Sequence, residues 1–130
     1  MFQIQKAVLQ KDGKYLILLR SAHAIHFPKH WDFPGGNLEE GEEPFAGIAR
    51  EVKEETCLDV TPMEVVGVYE FDLNHAGQPT HRFTLYTTCI MSGEVLLSDE
   101  HTEYRWATKD DIFALNNIEP YIRPYFTGRD

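Results

Sequence analysis

The sequence predicts one mixed α/β domain, and three observations carry that expectation. Strand-like runs are interspersed with an amphipathic helix and shorter helical stretches, the order that packs a sheet against helices. A length of 130 residues suits a single domain, 1–130, able to bury a core. Hydrophobic residues make up 42 % and charged residues 25 % of the chain, an ordinary globular balance, and no repeat, linker or low-complexity stretch interrupts it.

The elements follow in order. Phe2–Gln10 and Tyr15–Arg20 read as two strands joined by Lys11-Asp12-Gly13-Lys14, and Asp-Gly is a strong hairpin signal. Ser21–His30 is irregular and carries His23, His26 and His30. Trp31-Asp32-Phe33 is a short extended stretch before Pro34-Gly35-Gly36, which must turn. Pro44 suits the first position of a helix, and Phe45, Ile48, Ala49 and Val52 fall at i, i+3, i+4, i+7 as one buried stripe. Val60–Leu73, broken by Pro62, reads as strand; Asn74–Thr80 as turn; His81–Met91 as a second long strand. Glu94–Leu97 and Tyr104–Ala107 read as short strands around an acidic loop. Thr108 suits the N-cap of a helix of about two turns, and Pro120–Phe126 a last short helix.

The formal net charge is −9. That argues against a long nucleic acid as partner, because phosphate backbones are bound by clustered Lys and Arg. A small phosphorylated molecule remains compatible, since metal ions can mediate the contact. No apolar run approaches the ~20 residues of a bilayer-spanning helix, and Met1–Gln10 lacks a basic-then-apolar signal pattern. A cytoplasmic location without membrane partner is the expectation; monomer and homodimer both stay open. Cys57 and Cys89 are expected as reduced core residues rather than a disulfide.

The acid is concentrated. Glu39–Asp59 holds eight acidic residues against Arg50 and Lys53, so six of the nine net negative charges lie there. Glu51, Glu54 and Glu55 stand at i, i+3, i+4 and cover roughly 100° of helix surface beside the apolar stripe. Like charges so placed repel. A solvated helix face explains any acidic run, but a helix serving only solubility would mix signs. Several carboxylates converging on one rigid element suit a hard divalent cation.

Gly36-Asn37-Leu38-Glu39-Glu40-Gly41-Glu42, seven residues, then Arg50-Glu51-Val52-Lys53-Glu54-Glu55-Thr56-Cys57-Leu58 closely resembles the box of the Nudix hydrolase family. That box is Gly, five residues, Glu, seven residues, Arg-Glu-aliphatic, any residue, Glu-Glu, any residue, Gly, aliphatic. The one departure is Cys57 in place of Gly, which must either accept a left-handed backbone or end the helix differently. The resemblance implies the Nudix fold, a mixed β-sheet sandwiched between α-helices. It implies a MutT-like pyrophosphohydrolase that uses Mg²⁺, with Mn²⁺ as substitute, on a small nucleotide-like substrate. The implied metal ligands are Glu51, Glu54, Glu55 and the Gly35 carbonyl. Glu54 or Glu51 would help deprotonate a water, and Arg50 would orient a neighbouring glutamate. Glu42 would sit near the helix start, and Gly36 would allow the tight loop.

Glu100 lies six residues before Trp106, a spacing at which many Nudix enzymes place an extra metal ligand or general base; a solvated loop is the alternative. Glu103 reads as exposed. His81 and Arg82 open a strand that in related enzymes lines the nucleotide pocket, and Asn117 lies in a stretch that loosely resembles the base-holding segment of MutT-like enzymes. His23, His26 and His30 read as polar loop, and His75 as turn surface. The expected reaction is water attack at phosphorus of a diphosphate linkage in a nucleoside triphosphate or related derivative. The same chemistry on a nucleotide sugar, dinucleoside polyphosphate or pterin triphosphate is the alternative. A non-catalytic nucleotide-binding regulator is a third reading, against which the intact Arg50, Glu51, Glu54 and Glu55 stand.

Overall fold

Side-chain alternation along strand β1 (Phe2–Lys11) generates the layers. Gln5–Leu9 are all buried, as expected of a strand covered on both faces. Ala7 and Leu9 join one core cluster with Ile48 and Val52, while Val8 joins another with Phe33, Ile112, Ile122 and Phe126. Strand β2 (Lys14–Arg20) repeats the pattern: Leu16 and Leu18 face the first cluster and Ile17 the second. The computed structural model describes residues 1–128; the last two residues of the expected 1–130 domain lie outside them.

The remaining elements are β3 (Trp31–Asp32), β4 (Gly35–Asn37), α1 (Pro44–Thr56), β5 (Asp59–Phe71), β6 (His81–Ser92), β7 (His101–Ala107), α2 (Lys109–Phe113) and α3 (Ile122–Thr127). The sheet runs β3-β2-β1-β6-β5, with β4 on β1 and β7 on β2. β1 and β6 are parallel; the other pairings are antiparallel. α1 covers one face, and α2 and α3 the other. The expected mixed sheet between helices is the observed architecture. Among the described residues no helix is long and apolar enough to cross a membrane.

Local chemistry sets the boundaries. Asp12 and Gly13 both have positive φ, so a two-residue turn joins β1 to β2. Glu43 caps α1 by accepting the Ala46 N–H at 2.9 Å, and Pro44 follows it. Thr108 and Asp111 form a reciprocal capping box at the start of α2. Cys57 takes the first of its two options: φ is 65°, and its N–H closes on the Lys53 carbonyl at 3.0 Å.

Four expectations need correction. Glu94–Leu97 is not a strand; the Leu96 and Ser98 N–H groups instead donate to the Thr56 and Glu55 carbonyls and satisfy the end of α1. β7 begins at His101 rather than Tyr104, because a bulge lets Arg20 pair with His101. Phe45 is 40 % exposed; in the first turn its ring meets the Tyr86 ring edge-on at 5.6 Å instead of entering the core. Cys89 is exposed on β6 and Cys57 half-buried, so neither is a core residue; both are free thiols.

The left-handed Cys57 generates a prediction. A residue with a Cβ sustains this backbone at a cost of roughly 1 kcal/mol, which glycine avoids. Cys57→Gly is expected to raise unfolding stability by up to about 1 kcal/mol in urea titration. Destabilisation of that size would mean that the thiol's packing outweighs the backbone strain.

Candidate active site

The site begins where β1 and β2 diverge. Residues 31–37 cross the gap: Trp31 and Asp32 pair with β2, the Pro34 carbonyl accepts the Ala7 N–H at 2.7 Å, and Gly35–Asn37 pair with β1. Gly35 has φ +149°, and a Cβ there would overlap the Gln5 carbonyl oxygen. Its N–H donates to Glu55 Oε1 at 2.9 Å. A Cβ on Gly36 would stand 2.5 Å from Glu51 Oε2. The glycine pair therefore lets backbone press against two carboxylates of α1.

The three box glutamates have different surroundings. Glu55 is 4 % exposed. Burial pushes its pKa well above the ordinary carboxylate value; Lys6 opposes that shift, while Asp32 and Glu100 reinforce it. Glu51 is partly buried, and desolvation together with Glu54 and Glu100 raises its pKa against the pull of Arg50. Glu54 points outward, its side chain 57 % exposed. Arg50 ties the group together, meeting Glu42 at 2.7 Å, Glu51 and Glu54 at 3.1 Å and Glu39 at 3.7 Å. Its two hydrogen bonds hold the Glu42 pKa down at about 2. Glu100 arrives from the loop before β7: one ligating atom from each of Glu55, Glu100 and His101 lies within 4.8 Å of the others.

Beneath these carboxylates runs a buried charged network. Lys6 Nζ lies 3.1 Å from Asp32 Oδ2, and Arg20 Nη1 3.3 Å from the same oxygen. His101 Nε2 is 3.0 Å from Asp32 Oδ1, and Arg20 Nε is 3.6 Å from Glu119. Burial works against the Asp32 charge, but Lys6, His101 and Arg20 outweigh it and hold the pKa at about 2. Glu119, 3 % exposed, is pushed up to about 8 by burial, with Asp32 adding to the shift and Lys6 and Arg20 opposing it.

A cavity of about 770 Å³ joins both sets. Glu51, Glu55 and Glu100 line it together with Lys6, Arg20 and Glu119. Phe2, Ile25, Phe27, Phe83 and His81 supply apolar and aromatic lining. The Phe2 and His81 rings stand 4.9 Å apart, and desolvation keeps the His81 pKa below its ordinary value.

Of the residues named from sequence, Gly35, Glu51, Glu55, Glu100 and His81 line this cavity. Glu54 and Arg50 are not among its lining residues; on α1 they pair with each other at 3.1 Å. Arg82 does not reach it. Alternation along β6 sends His81 to one face and Arg82 to the other, where Arg82 pairs with Glu70 at 2.7 Å beside a separate hollow of about 420 Å³. Asn117 does not line the cavity either: its Nδ2 donates to the Lys29 carbonyl at 2.8 Å and anchors the loop after β2. Glu119, two residues on, lines it instead. Lys6, Arg20, Asp32, His101 and Glu119 escaped the sequence reading. The available signals were a lysine inside an apolar strand and an aspartate between two aromatics.

The raised Glu119 pKa fixes a pH dependence. Between its ordinary 4.5 and about 8, the folded protein retains a proton that the unfolded chain has released. This contribution to stability is fully present below about pH 4.5 and is lost as pH rises through 8. Glu55, also raised, acts with the same sign; Asp32, at about 2, titrates below this range. Urea unfolding at about pH 5 and about pH 9 is therefore expected to show a larger loss of stability in the parent than in Glu119→Gln. Equal losses would show that Glu119 is ionised throughout.

The comparisons agree with this geometry. The NUDIX domain family model matches residues 6–127. A "MutT-like protein" of Streptomyces ambofaciens is 35% identical over 132 residues, covering 91% of this chain and 79% of the relative. A rat protein named "Bis(5'-nucleosyl)-tetraphosphatase [asymmetrical]" is 28% identical over 106 residues, covering 79% of this chain and 70% of its own. The crystal structure of a MutT protein from Methanosarcina mazei Go1 superposes with TM-score 0.87 at 28% identity, covering 98% of this chain and 91% of that one. With the family model spanning nearly the whole described chain, this protein belongs to the Nudix hydrolase family.

Proposed function

We propose that the protein is a Mg²⁺-dependent pyrophosphohydrolase acting on a nucleoside triphosphate or related nucleoside diphosphate derivative, with Mn²⁺ as substitute. One observation carries this reading: carboxylates from α1 and from the loop before β7 line one cavity together with aromatic and apolar side chains. Hard cations take several carboxylate oxygens, and apolar linings with a few polar groups suit small organic ligands. The donor set fits: Glu55 is a buried carboxylate, and the Gly36 backbone leaves Glu51 space that a Cβ would fill. Glu51, Glu54, Glu55, the Gly35 carbonyl and Glu100 are the groups that would hold the ion.

When bound, Mg²⁺ supplies charge neutralisation of the diphosphate and activation of water. The protein's own groups do the rest. Glu51, Glu54 or Glu100 takes the proton of the attacking water. Arg50, bonded to both Glu51 and Glu54, limits their orientations. The Phe2–His81 wall, with His81 kept neutral, offers a surface for a base.

Lys6 and Arg20 line the cavity as well, and both are already engaged with Asp32. Relatives named as tetraphosphatases keep a dinucleoside polyphosphate as the second reading.

Two outcomes are expected. EDTA abolishes turnover of nucleoside triphosphates, and Mg²⁺ or Mn²⁺ restores it; full activity in EDTA would remove the proposed chemistry. Glu51→Gln and Glu54→Gln each lower kcat by ~10²-fold or more with the fold intact. Glu103→Gln, on the exposed face of β7, leaves kcat near the parent's. Parental kcat in Glu54→Gln would place that carboxylate outside the reaction and leave it as an Arg50 partner alone.

A further inference from the structure

His101 sits in an arrangement that the proposed carboxylate site does not require. It is the first residue of β7, its side chain fully buried. Nε2 faces the ionised Asp32 carboxylate at 3.0 Å. Asp32 therefore accepts from Nε2–H, which leaves Nδ1 as the ring nitrogen still to be partnered. Nδ1 is buried and has no hydrogen-bond partner among the described residues. A buried polar nitrogen left so costs free energy unless something binds it.

Its surroundings specify the partner. His101, Glu55 and Glu100 each offer a ligating atom within 4.8 Å of the others. Nε2 is occupied by Asp32, and Nδ1 has no partner among the described residues. An imidazole that presents one nitrogen to a metal while its other N–H is held by a carboxylate is a recurrent orienting arrangement in metal sites. Asp32 is itself fixed by Lys6 at 3.1 Å and Arg20 at 3.3 Å, so the ring cannot rotate without breaking that network.

We propose that His101 Nδ1, with the Glu55 and Glu100 carboxylates, forms a nitrogen-containing divalent-metal site that favours first-row transition ions over Mg²⁺. Imidazole suits Co²⁺, Ni²⁺ and Zn²⁺ and contributes little to Mg²⁺, which prefers oxygen. This rests on the proposed metal dependence but reaches beyond it: an all-oxygen Mg²⁺ site could perform the hydrolysis without His101.

The test is spectroscopic. The full chain, labelled with [¹⁵N]histidine and loaded with Mn²⁺, is examined by pulsed electron paramagnetic resonance, and Co²⁺ and Mg²⁺ affinities are measured by calorimetry. The expected result is a directly coordinated histidine nitrogen in the parent. His101→Gln should lose that coupling and bind Co²⁺ ~10–100-fold more weakly, with Mg²⁺ affinity nearly unchanged. His23, His26 and His81 line the cavity, so a variant with all three changed to Gln is the second arm. It should keep the coupling, which decides the matter even if His101→Gln fails to fold. No nitrogen coupling in the parent, its loss in the triple variant, or its survival in His101→Gln would each overturn the proposal. Mg²⁺-dependent hydrolysis with no nitrogen coupling would refute this site alone.

Discussion

The carboxylate of Glu55 lies inside the protein, 4 % exposed, in a chain that already carries nine excess negative charges. Much of the site is arranged around that burial. The Gly35 N–H reaches Glu55 at 2.9 Å because residues 31–37 cross from β2 to β1 directly above it. Lys6 supplies positive charge from β1 but is shared with Asp32 and Glu119. The compensation is incomplete, which is why the carboxyl is pushed towards its protonated form. A cation would complete it.

Around this centre the charges fall into two groups. On the outside, Arg50 balances Glu39, Glu42, Glu51 and Glu54, and keeps a like-charged helix face from repelling itself apart. On the inside, Asp32 gathers Lys6, Arg20 and His101. Such buried pairs do not by themselves stabilise a fold, since desolvation offsets much of their attraction. What they provide is fixed orientation: they hold Glu119 at the cavity, and they leave one His101 nitrogen free.

The legible and illegible parts of this site differ in range. Glu51, Glu54, Glu55 and Arg50 share one helix, so spacing alone groups them on one element. Pro44 marks its start, and Cys57, standing where a glycine is usual, sits at its end, where the structure shows the left-handed backbone. The hairpin at Asp12-Gly13 is equally local. The inner network draws Lys6, Arg20, Asp32, His101 and Glu119 from five separate stretches of chain, and no periodicity joins them. The register of a strand decides which face a residue sees, which is how Arg82 came to lie opposite His81. Glu94–Leu97 has strand-like composition, yet it satisfies carbonyls at the end of α1 because those are the partners within reach.

The proposed hydrolysis requires the glutamate cluster to be a cation site rather than a structural salt-bridge set. Thermal unfolding with and without Mg²⁺, at matched ionic strength in NaCl, tests this without knowledge of the substrate. An ion that binds only the folded state stabilises it by RT ln(1 + [L]/Kd), about 1.4 kcal/mol at roughly ten times Kd. For a domain near this size that raises Tm by a few degrees. The account predicts this shift in the parent and its absence when Glu51, Glu54 and Glu55 are all changed to Gln. An equal Mg²⁺ shift in the triple variant would contradict it, because the ion would then be bound elsewhere.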